Sequence, residues 1–580
     1  MIFLAESVAS EHHCGTGLEV RMAELAEQLK REIGQHFVFG FHGYEVSDDI
    51  RTLIRDYYLG NVILMKRNVQ SISQVHDLVR QLQLIAEESG HSKPLMIGID
   101  QENGLVSAFS STSAGTQFPG AMALAATGSP ELVEEVSAAT GKEMRLAGIN
   151  WAYSPVADVN SDPRNPVIGV RSFGDDPLEV ARYVKAVSKG LTSAKVAPSA
   201  KHFPGHGNTH VDSHVGLPRI ITSKEKLAAT ELVPFQALVD AGIATIMTGH
   251  MALPWVTGDD MPCSLSKVIA SNLLREEMGF RGVIVTDCLE MEAVAGRYGS
   301  EGGAFFSLQA GADIIMICHR FDRQVGALNE AYAAVENSRI SINALVTSSR
   351  RIGALKDAFA GTWEDVLGTL DVEQVARLKM EHKLLSRRAY AAAVSLIRDK
   401  PGVLPLSKGN STILFTPRME SINPAVDDAE GNLRDEEGRL QNTAGPSYQA
   451  FAASVAQHAP VQHVVYAPND EISEALKDSA RSASSIIFAT RNGFDRGAWQ
   501  IAYLRKVVAM LSSVASSTKV VLVSTCAPYD LLTLEDVNAP CLATYEFTVP
   551  ALEAATAVIF GKEVARGKVP VKKGLVQGTA

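Results

Sequence analysis

Val283-Ile284-Val285-Thr286-Asp287 is a short, mostly β-branched run that ends in a carboxylate. Uninterrupted apolar runs of this length are typical of strands covered on both faces of a parallel sheet. A carboxylate directly after such a strand is held on a rigid element. Similar runs occur elsewhere in the first half of the chain, namely Phe37-Val38-Phe39, Val62-Ile63-Leu64-Met65, Leu95-Met96-Ile97-Gly98-Ile99, Ile243-Ala244-Thr245-Ile246-Met247 and Ile314-Ile315-Met316-Ile317.

Segments with helical periodicity separate many of these runs, at residues 72–88, 130–147, 177–194 and 222–241. Polar residues follow the runs: Asp100 follows the third, Lys201 and His202 follow Val196-Ala197, and His250 and Asp287 follow two later runs. The C-terminal ends of all strands open on one face of a (β/α)₈ barrel, where its active sites lie. A doubly wound sheet is the rival fold, but it would favour a GxGxxG loop after an early strand, and the sequence has none there. The pattern therefore predicts a TIM-like barrel.

A second alternation of apolar runs and helical segments begins near Arg387 and predicts a smaller α/β sandwich domain with a mainly parallel sheet. We predict a barrel domain at 1–360, a charged helical connector at 361–384 and the second domain at 385–580. The runs are Ala392-Val394-Leu396, Ile413-Leu414-Phe415, Val464-Val465-Tyr466, 486–489 and 520–523, with helices at 446–457, 472–481 and 499–515.

Composition narrows the class of function. The chain has 580 residues, 46% of them hydrophobic, and a formal net charge of -11, which argues against a nucleic-acid partner. The six cysteines are scattered and predict free thiols in a reducing compartment. Neither a signal-peptide core nor an apolar run of about 18 residues occurs, so we expect a cytoplasmic protein without a membrane segment.

The segment Lys201–His214 contains four histidines, at every fourth position, around Pro204 and two glycines. On a helix these histidines would line one face as a metal site, but the proline and glycines make that helix improbable. In an irregular loop, Asp212 can orient the imidazole of His214 and favour its protonated form, as a general acid or base requires. A solvated turn with incidental histidines is the alternative.

Asp287 has two interpretations. A carboxylate at the end of a buried strand can serve as a nucleophile on a rigid element. Aspartate at a strand-to-helix turn is also a common helix N-cap. The position alone does not separate the two, but a loop rich in titratable groups in the same predicted site favours the nucleophile.

Two motifs resemble glycoside hydrolase family 3, in particular its β-N-acetylhexosaminidase branch. Lys201-His202-Phe203-Pro204-Gly205-His206-Gly207 followed by Asp212-Ser213-His214 is similar to the signature of that branch, and Thr286-Asp287-Cys288-Leu289-Glu290-Met291 resembles the setting of the family nucleophile. The resemblance implies a retaining exo-β-N-acetylglucosaminidase. In it Asp287 attacks the anomeric carbon, His214 protonates the leaving oxygen and Asp212 holds His214.

The resemblance also implies the residues that hold the sugar. Asp100-Gln101-Glu102-Asn103-Gly104 is similar to a family stretch whose aspartate binds sugar hydroxyls. Residues 155–174 resemble a stretch whose Asp158 and Arg171 contact the sugar or brace the site, and Lys201 and His202 complete the set. A salt bridge within the barrel is an equal alternative for Asp158. Trp151 and Trp255 could stack on a sugar ring, although a core position is the stronger expectation for single aromatics.

One departure from the branch concerns the neighbouring sugar. The hexosaminidases usually carry arginine where this chain has Leu105 and Ala108. Losing these cations disfavours an acidic muramyl group and favours a neutral chitooligosaccharide. The second domain also resembles that of the family, and we expect it to be structural or to gate access, because His214 makes the glutamate acid of the β-glucosidase branch unnecessary.

The expected activity is hydrolysis of terminal β-linked N-acetylglucosamine without a metal or organic cofactor. A phosphorylase is the main alternative, because a neutral imidazole, unlike a carboxylate, would not repel inorganic phosphate; two unit charges at 4 Å repel by about 1 kcal/mol even in water. A metal-dependent hydrolase and a non-catalytic sugar-binding module are weaker alternatives. The sequence does not determine the aglycone or the oligomeric state.

Overall fold

The computed structural model describes residues 27–110, 114–209, 216–418, 445–513 and 518–572. Eight parallel strands close into a barrel in which each strand pairs with its neighbours in chain order. This confirms the predicted (β/α)₈ barrel. The strands are β1 (Phe37–Phe39), β2 (Asn61–Leu64), β3 (Met96–Ile99), β4 (Trp151–Ala152), β5 (Ala197–Phe203), β6 (Thr245–Thr248), β7 (Val283–Cys288) and β8 (Ile314–Ile317).

Six of these strands lie on the predicted apolar runs, and β5 begins at the short Val196-Ala197 run. The two-residue strand β4 was not predicted, because so short a run carries no periodicity. The barrel interior is filled by alternate side chains of the strands, so that it is a packed core and not a pore. These side chains include Val38, Ile63, Met96, Trp151, Met247, Val285 and Met316.

Helices surround the barrel, and their apolar faces pack on the strands. Three predicted helices are confirmed within one residue at each end, whereas the predicted helix 222–241 is divided after Ala229. The longer ones are Asp48–Asp56, Ile72–Glu88, Pro130–Leu146, Pro177–Ser193, Leu232–Asp240, Val268–Glu277, Glu292–Ala310, Phe321–Glu336 and Ile342–Phe359, with shorter helices at Ala121–Ala126, Lys224–Ala229 and Pro254–Thr257.

A six-stranded sheet forms the second domain, with helices packed against it. Its strands are β9 (Ser395–Arg398), β10 (Thr412–Pro417), β11 (Val461–Tyr466), β12 (Ser485–Thr490), β13 (Lys519–Ser524) and β14 (Cys541–Ala543). The order is β9-β14-β13-β12-β10-β11, and only β9 is antiparallel to its neighbour. The predicted, mainly parallel sheet is thus confirmed. The helices are Gly445–Ala456, Glu474–Ser482, Trp499–Ser513, Tyr529–Thr533 and Val549–Ile559.

The segment between the sheets contains a short helix, Trp363–Leu367, and a 22-residue helix, Val372–Ala393. The long helix crosses the predicted boundary at residue 385, and the domain limits stay a prediction. Its His382 ring donates from Nδ1 to Glu143 Oε1 in the barrel at 2.6 Å, while its Tyr390 hydroxyl donates to Glu546 of the second domain at 2.8 Å. One helix therefore contacts both folding units.

The five described cysteines form no disulfide with one another, as expected, and all five are buried. Among the described helices, none combines the length and the apolar character that a membrane span requires.

Candidate active site

The C-terminal ends of the barrel strands bring several predicted site residues together. Asp100 directly follows β3, Lys201 lies within β5, and Lys201 Nζ donates to Asp100 Oδ1 at 2.6 Å. The Lys201 side chain is 3% exposed, whereas that of Asp100 is 34% exposed. The barrel thus presents an accessible carboxylate that a buried ammonium holds in place.

Glu102 links this pair to Arg171 and is the residue that the sequence analysis missed. Lys201 Nζ lies 2.7 Å from Glu102 Oε1, and the Arg171 guanidinium donates to both Glu102 oxygens at 2.8 and 2.9 Å. Such two-point contact matches the planar guanidinium to the carboxylate. The signal was available, because Glu102 lies two residues after Asp100 in the quoted motif, but nothing local shows that it holds two cations.

The four charges balance within the network. Burial alone would raise the pKa of Glu102, but Arg171 and Lys201 beside it lower that pKa to about 2. Burial would also lower the pKa of Lys201, and Asp100 and Glu102 outweigh it and raise the pKa above its ordinary value. Glu102 and Lys201 thus stay charged at neutral pH, and with Arg171 they form a buried network before any ligand arrives.

Asp158 supports the loop that follows β5. Its carboxylate accepts from His202 Nδ1 at 2.8 Å and from the backbone N–H of His206 at 2.7 Å, and its side chain is fully buried. Burial and then His202 lower the pKa of His206 to about 4. With no exposed surface, the Asp158 carboxylate positions His202 and does not itself face a ligand, which favours bracing over sugar contact.

Asp287 lies on β7 at the same end of the barrel, and its Oδ1 accepts from the backbone N–H of Cys288 at 2.7 Å. The residue is partly exposed. The other predicted catalytic residues, Asp212 and His214, lie outside the described residues. Asp100, Lys201 and Asp287 therefore lie within the last three residues of three barrel strands or directly after one, at the C-terminal ends that open on one face, as predicted.

The two tryptophans differ. Trp151 is fully buried, and its Nε1 donates to Thr245 Oγ1 at 3.0 Å, which confirms the expected core position. Trp255 is 67% exposed on the short helix Pro254–Thr257, so the core interpretation is wrong for it. The helix begins at Pro254, a residue favoured at helix starts, and turns Trp255 outward.

The second domain covers one side of the site. Glu546 Oε2 accepts from the backbone N–H of Gly120 at 2.7 Å, beside Gly104 of the Asp100 loop. Asn160 of the barrel donates to the Tyr529 hydroxyl at 2.7 Å. A cleft of about 80 Å³ lies between the domains, and its lining includes Leu105, Arg171, Arg491, Phe494 and Phe547.

We expect Glu546→Ala to lower the free energy of unfolding by about 1–3 kcal/mol, because it leaves the buried Gly120 N–H without its acceptor. Thermal and chemical unfolding measure the loss. Glu553→Ala is the matched control, since Glu553 is exposed on the neighbouring helix Val549–Ile559. Equal stability of the two variants would show that the Glu546 contact does not hold the domains together.

Comparison with known proteins gives a consistent result. A model of the glycosyl hydrolase family 3 N-terminal domain matches residues 19–355. Beta-hexosaminidase A of Pseudoalteromonas piscicida is 30% identical over 560 residues, which cover 90% of this chain and 90% of that protein.

Two solved structures are similar along nearly the whole chain. A glycoside hydrolase family 3 β-N-acetylglucosaminidase from Paenibacillus sp. strain FPU-7 has a TM-score of 0.80 and 31% identity, covering 94% of this chain and 99% of that one. A fungal multi-domain family 3 β-N-acetylglucosaminidase has a TM-score of 0.84 and 34% identity, covering 94% of this chain. This chain spans 60% of the length of the fungal one.

Proposed function

Because this chain belongs to glycoside hydrolase family 3, we propose that it is a retaining exo-β-N-acetylglucosaminidase. The observation that carries the proposal is the charged network at the barrel mouth, in which Lys201 holds Asp100 and Glu102 holds both Lys201 and Arg171. The β-N-acetylglucosaminidase and hexosaminidase names of its relatives support the same substrate.

Asp100 is the proposed sugar-binding carboxylate. Its two oxygens can accept hydrogen bonds from neighbouring hydroxyls of a pyranose, and its partial exposure leaves them accessible to a ligand. The Lys201 ammonium and the Arg171 guanidinium hold the Asp100 and Glu102 carboxylates in place. His202, oriented by Asp158, completes the pocket.

The proposed reaction uses two displacements at the anomeric carbon. An oxygen of Asp287 forms a bond to that carbon while the glycosidic bond breaks, and His214 gives its proton to the departing oxygen. Water then attacks the glycosyl-aspartate, the neutral His214 removes its proton, and Asp287 is released as a carboxylate. Most retaining enzymes use two carboxylates for these steps. The histidine acid rests on the motif that contains Asp212 and His214.

Turnover of nitrophenyl β-glycosides tests the proposed specificity. We expect the N-acetylglucosaminide to be cleaved with a higher kcat/KM than the glucoside. The same assay in phosphate buffer separates hydrolysis, which releases free sugar, from phosphorolysis, which releases the sugar 1-phosphate. Faster cleavage of the glucoside contradicts the proposed branch.

The proposed aglycone is a neutral chitooligosaccharide, because Leu105 and Ala108 replace the arginines that are usual in the branch. The cleft beside Leu105 nevertheless contains Arg491, whose guanidinium lies 5.0 Å from the Phe547 ring centroid. A direct comparison of chitobiose with a muramyl disaccharide decides between the two aglycones. A higher kcat/KM for the muramyl substrate contradicts the proposed neutral aglycone.

Glu102→Gln tests the charged network. The substitution leaves the buried Lys201 and Arg171 with one counter-charge fewer, and breaking a buried pair in this way costs about 3–5 kcal/mol. We expect lower stability and a raised KM. The control is Glu134→Gln, which removes a surface pair of the partly exposed Glu134 with the exposed Lys189 at 2.9 Å and should cost no more than about 1 kcal/mol.

The pH dependence of stability has a defined sign. The pKa of Glu102 is about 2 in the folded protein and near 4.5 when unperturbed, so the unfolded chain binds its proton first as pH falls. The stabilisation by Glu102 is present above about pH 4.5 and is lost as pH falls towards 2. The difference in free energy of unfolding between wild type and Glu102→Gln should therefore shrink over this range. A constant difference would contradict the assigned charge state.

A further inference from the structure

A group of metal-binding side chains lies beside Asp287, and the proposed reaction uses none of them. Donor atoms of Cys288, Glu290 and His319 all lie within 4.8 Å of one another. Cys288 ends β7, and His319 follows β8 by two residues. The group therefore lies at the C-terminal end of the barrel, the same end at which Asp100 and Asp287 lie.

The donor types indicate one class of cation. A thiolate, an imidazole and a carboxylate suit Zn²⁺, which takes sulfur, nitrogen and oxygen ligands in tetrahedral sites. Mg²⁺ and Ca²⁺ prefer oxygen ligands alone. Three protein ligands leave the fourth position of a tetrahedral ion open to water.

The Glu290 carboxylate is already oriented. Its Oε2 accepts from the backbone N–H groups of Cys318 at 2.9 Å and His319 at 2.7 Å, and its Oε1 accepts from Arg320 N–H at 3.1 Å. The Cys288 thiol lies 3.7 Å from Oε2. Outer contacts of this kind orient metal ligands and raise the affinity of a site.

A second thiol supports Cys288. Cys318 lies in the same buried cluster as Cys288, and both thiols are buried. Cys318 is therefore a neighbour of the proposed ligand Cys288 that can pack against its sulfur when a cation is bound. His319 is exposed, so a cation reaches the group from the barrel mouth.

Arg67 limits the affinity of the site. Its Nη2 donates to the Cys318 carbonyl at 2.7 Å, which places a positive charge beside the thiols. The guanidinium repels a divalent cation. We therefore expect a cation to bind this site reversibly and not as a permanent structural ion.

We propose that Cys288, Glu290 and His319 form a Zn²⁺ site that reversibly inhibits the enzyme. On binding, the Cys288 thiol releases one proton to solvent, and no oxidation or reduction occurs. Cys288 directly follows Asp287 in the chain, so a ligand of the ion is the immediate neighbour of the proposed nucleophile. The charge of the ion attracts the Asp287 carboxylate and weakens its attack on the sugar. Inhibition rests on the proposed role of Asp287, whereas binding does not.

Metal titration of the chelator-treated full chain tests the site. Calorimetry with Zn²⁺ should show one site that involves Cys288, and Co²⁺ should give the absorption of a thiolate-to-cobalt charge transfer. Turnover should fall with Zn²⁺ occupancy and return when a chelator is added. Binding that leaves turnover unchanged overturns the inhibitory role.

Three variants locate the binding residues. Cys288→Ser and His319→Ala should shift the inhibition curve to higher Zn²⁺ concentration, and Cys288→Ser should remove the cobalt band. Cys318→Ala, which removes an outer contact, should weaken binding by about 10–100-fold. Cys541→Ser is the control, since this buried thiol of the second sheet contacts Arg398 instead. Inhibition curves that are unchanged in Cys288→Ser and His319→Ala overturn the site. Because binding is measured without turnover, this result is distinct from failure of the proposed activity.

Discussion

Replacing Asp287 by asparagine is expected to reduce turnover almost to background while leaving the fold intact. The carboxamide has the shape of the carboxylate but lacks the negative charge and the nucleophilicity that the covalent step requires. Its oxygen can still accept from the Cys288 N–H, so the end of β7 keeps its local hydrogen bond. Steady-state kinetics on an aryl N-acetylglucosaminide and thermal unfolding measure the two effects.

Covalent trapping identifies the same residue independently. A 2-fluoro glycoside slows both displacements, and the intermediate should accumulate on wild-type protein in the peptide that contains residues 281–291. No adduct should form on Asp287→Asn. Asp260→Asn is the matched control, because Asp260 is exposed and paired with Arg219 at 2.9 Å. Substantial activity in Asp287→Asn would instead mean that the carboxylate only caps the strand end.

Loss of His214 should have an effect that depends on the leaving group. His214→Ala is expected to lower kcat/KM for chitobiose by orders of magnitude, because the alkoxide of chitobiose is a poor leaving group. The cost for cleavage of an aryl glycoside with an acidic phenol should be much smaller, because general acid catalysis supplies a factor of about 10²–10⁴ where a proton is needed. Comparing kcat/KM for the two substrates measures this difference.

The second displacement gives a further readout. Without a base, the glycosyl-aspartate should persist, and azide, which needs no deprotonation, should speed turnover of His214→Ala and yield the glycosyl azide. If Asp212 orients the His214 imidazole as proposed, Asp212→Asn should show a weaker form of the same behaviour.

If His214→Ala lowers kcat/KM equally for both substrates and azide does not speed turnover, His214 only positions the sugar. The acid would then lie elsewhere. Glu546, the second-domain carboxylate that contacts the barrel, is 2% exposed and hydrogen-bonded to Gly120 and Tyr390. It is therefore poorly placed to reach a substrate, and another candidate would be needed.

The barrel and the mainly parallel second sheet could be predicted from the sequence because a buried strand is visible locally as a run of apolar residues. A strand covered on both faces needs an uninterrupted apolar run, and the run at Ile314–Ile317 marks β8 without any knowledge of its neighbours. The positions of Asp100 and Asp287 at strand ends were predictable for the same reason. The two-residue strand β4 was not, because so short a run carries no periodicity. The division of the helix after Ala229 was missed, although Pro234 in the first turn of Leu232–Asp240 marks a helix start.

The contacts between charged side chains were decided by the tertiary structure. Glu102 meets Arg171, 69 residues away in the chain, only because the barrel closes and brings the ends of separate strands together. Asp158 appeared equally suited to a sugar contact or a salt bridge until burial showed that its oxygens face His202. The proximity of Cys288, Glu290 and His319 likewise depends on the pairing of β7 with β8. The periodicity of the sequence indicates which side chains are buried. The partner of each buried charge depends on distances across the closed barrel, and no local sequence pattern predicts these distances.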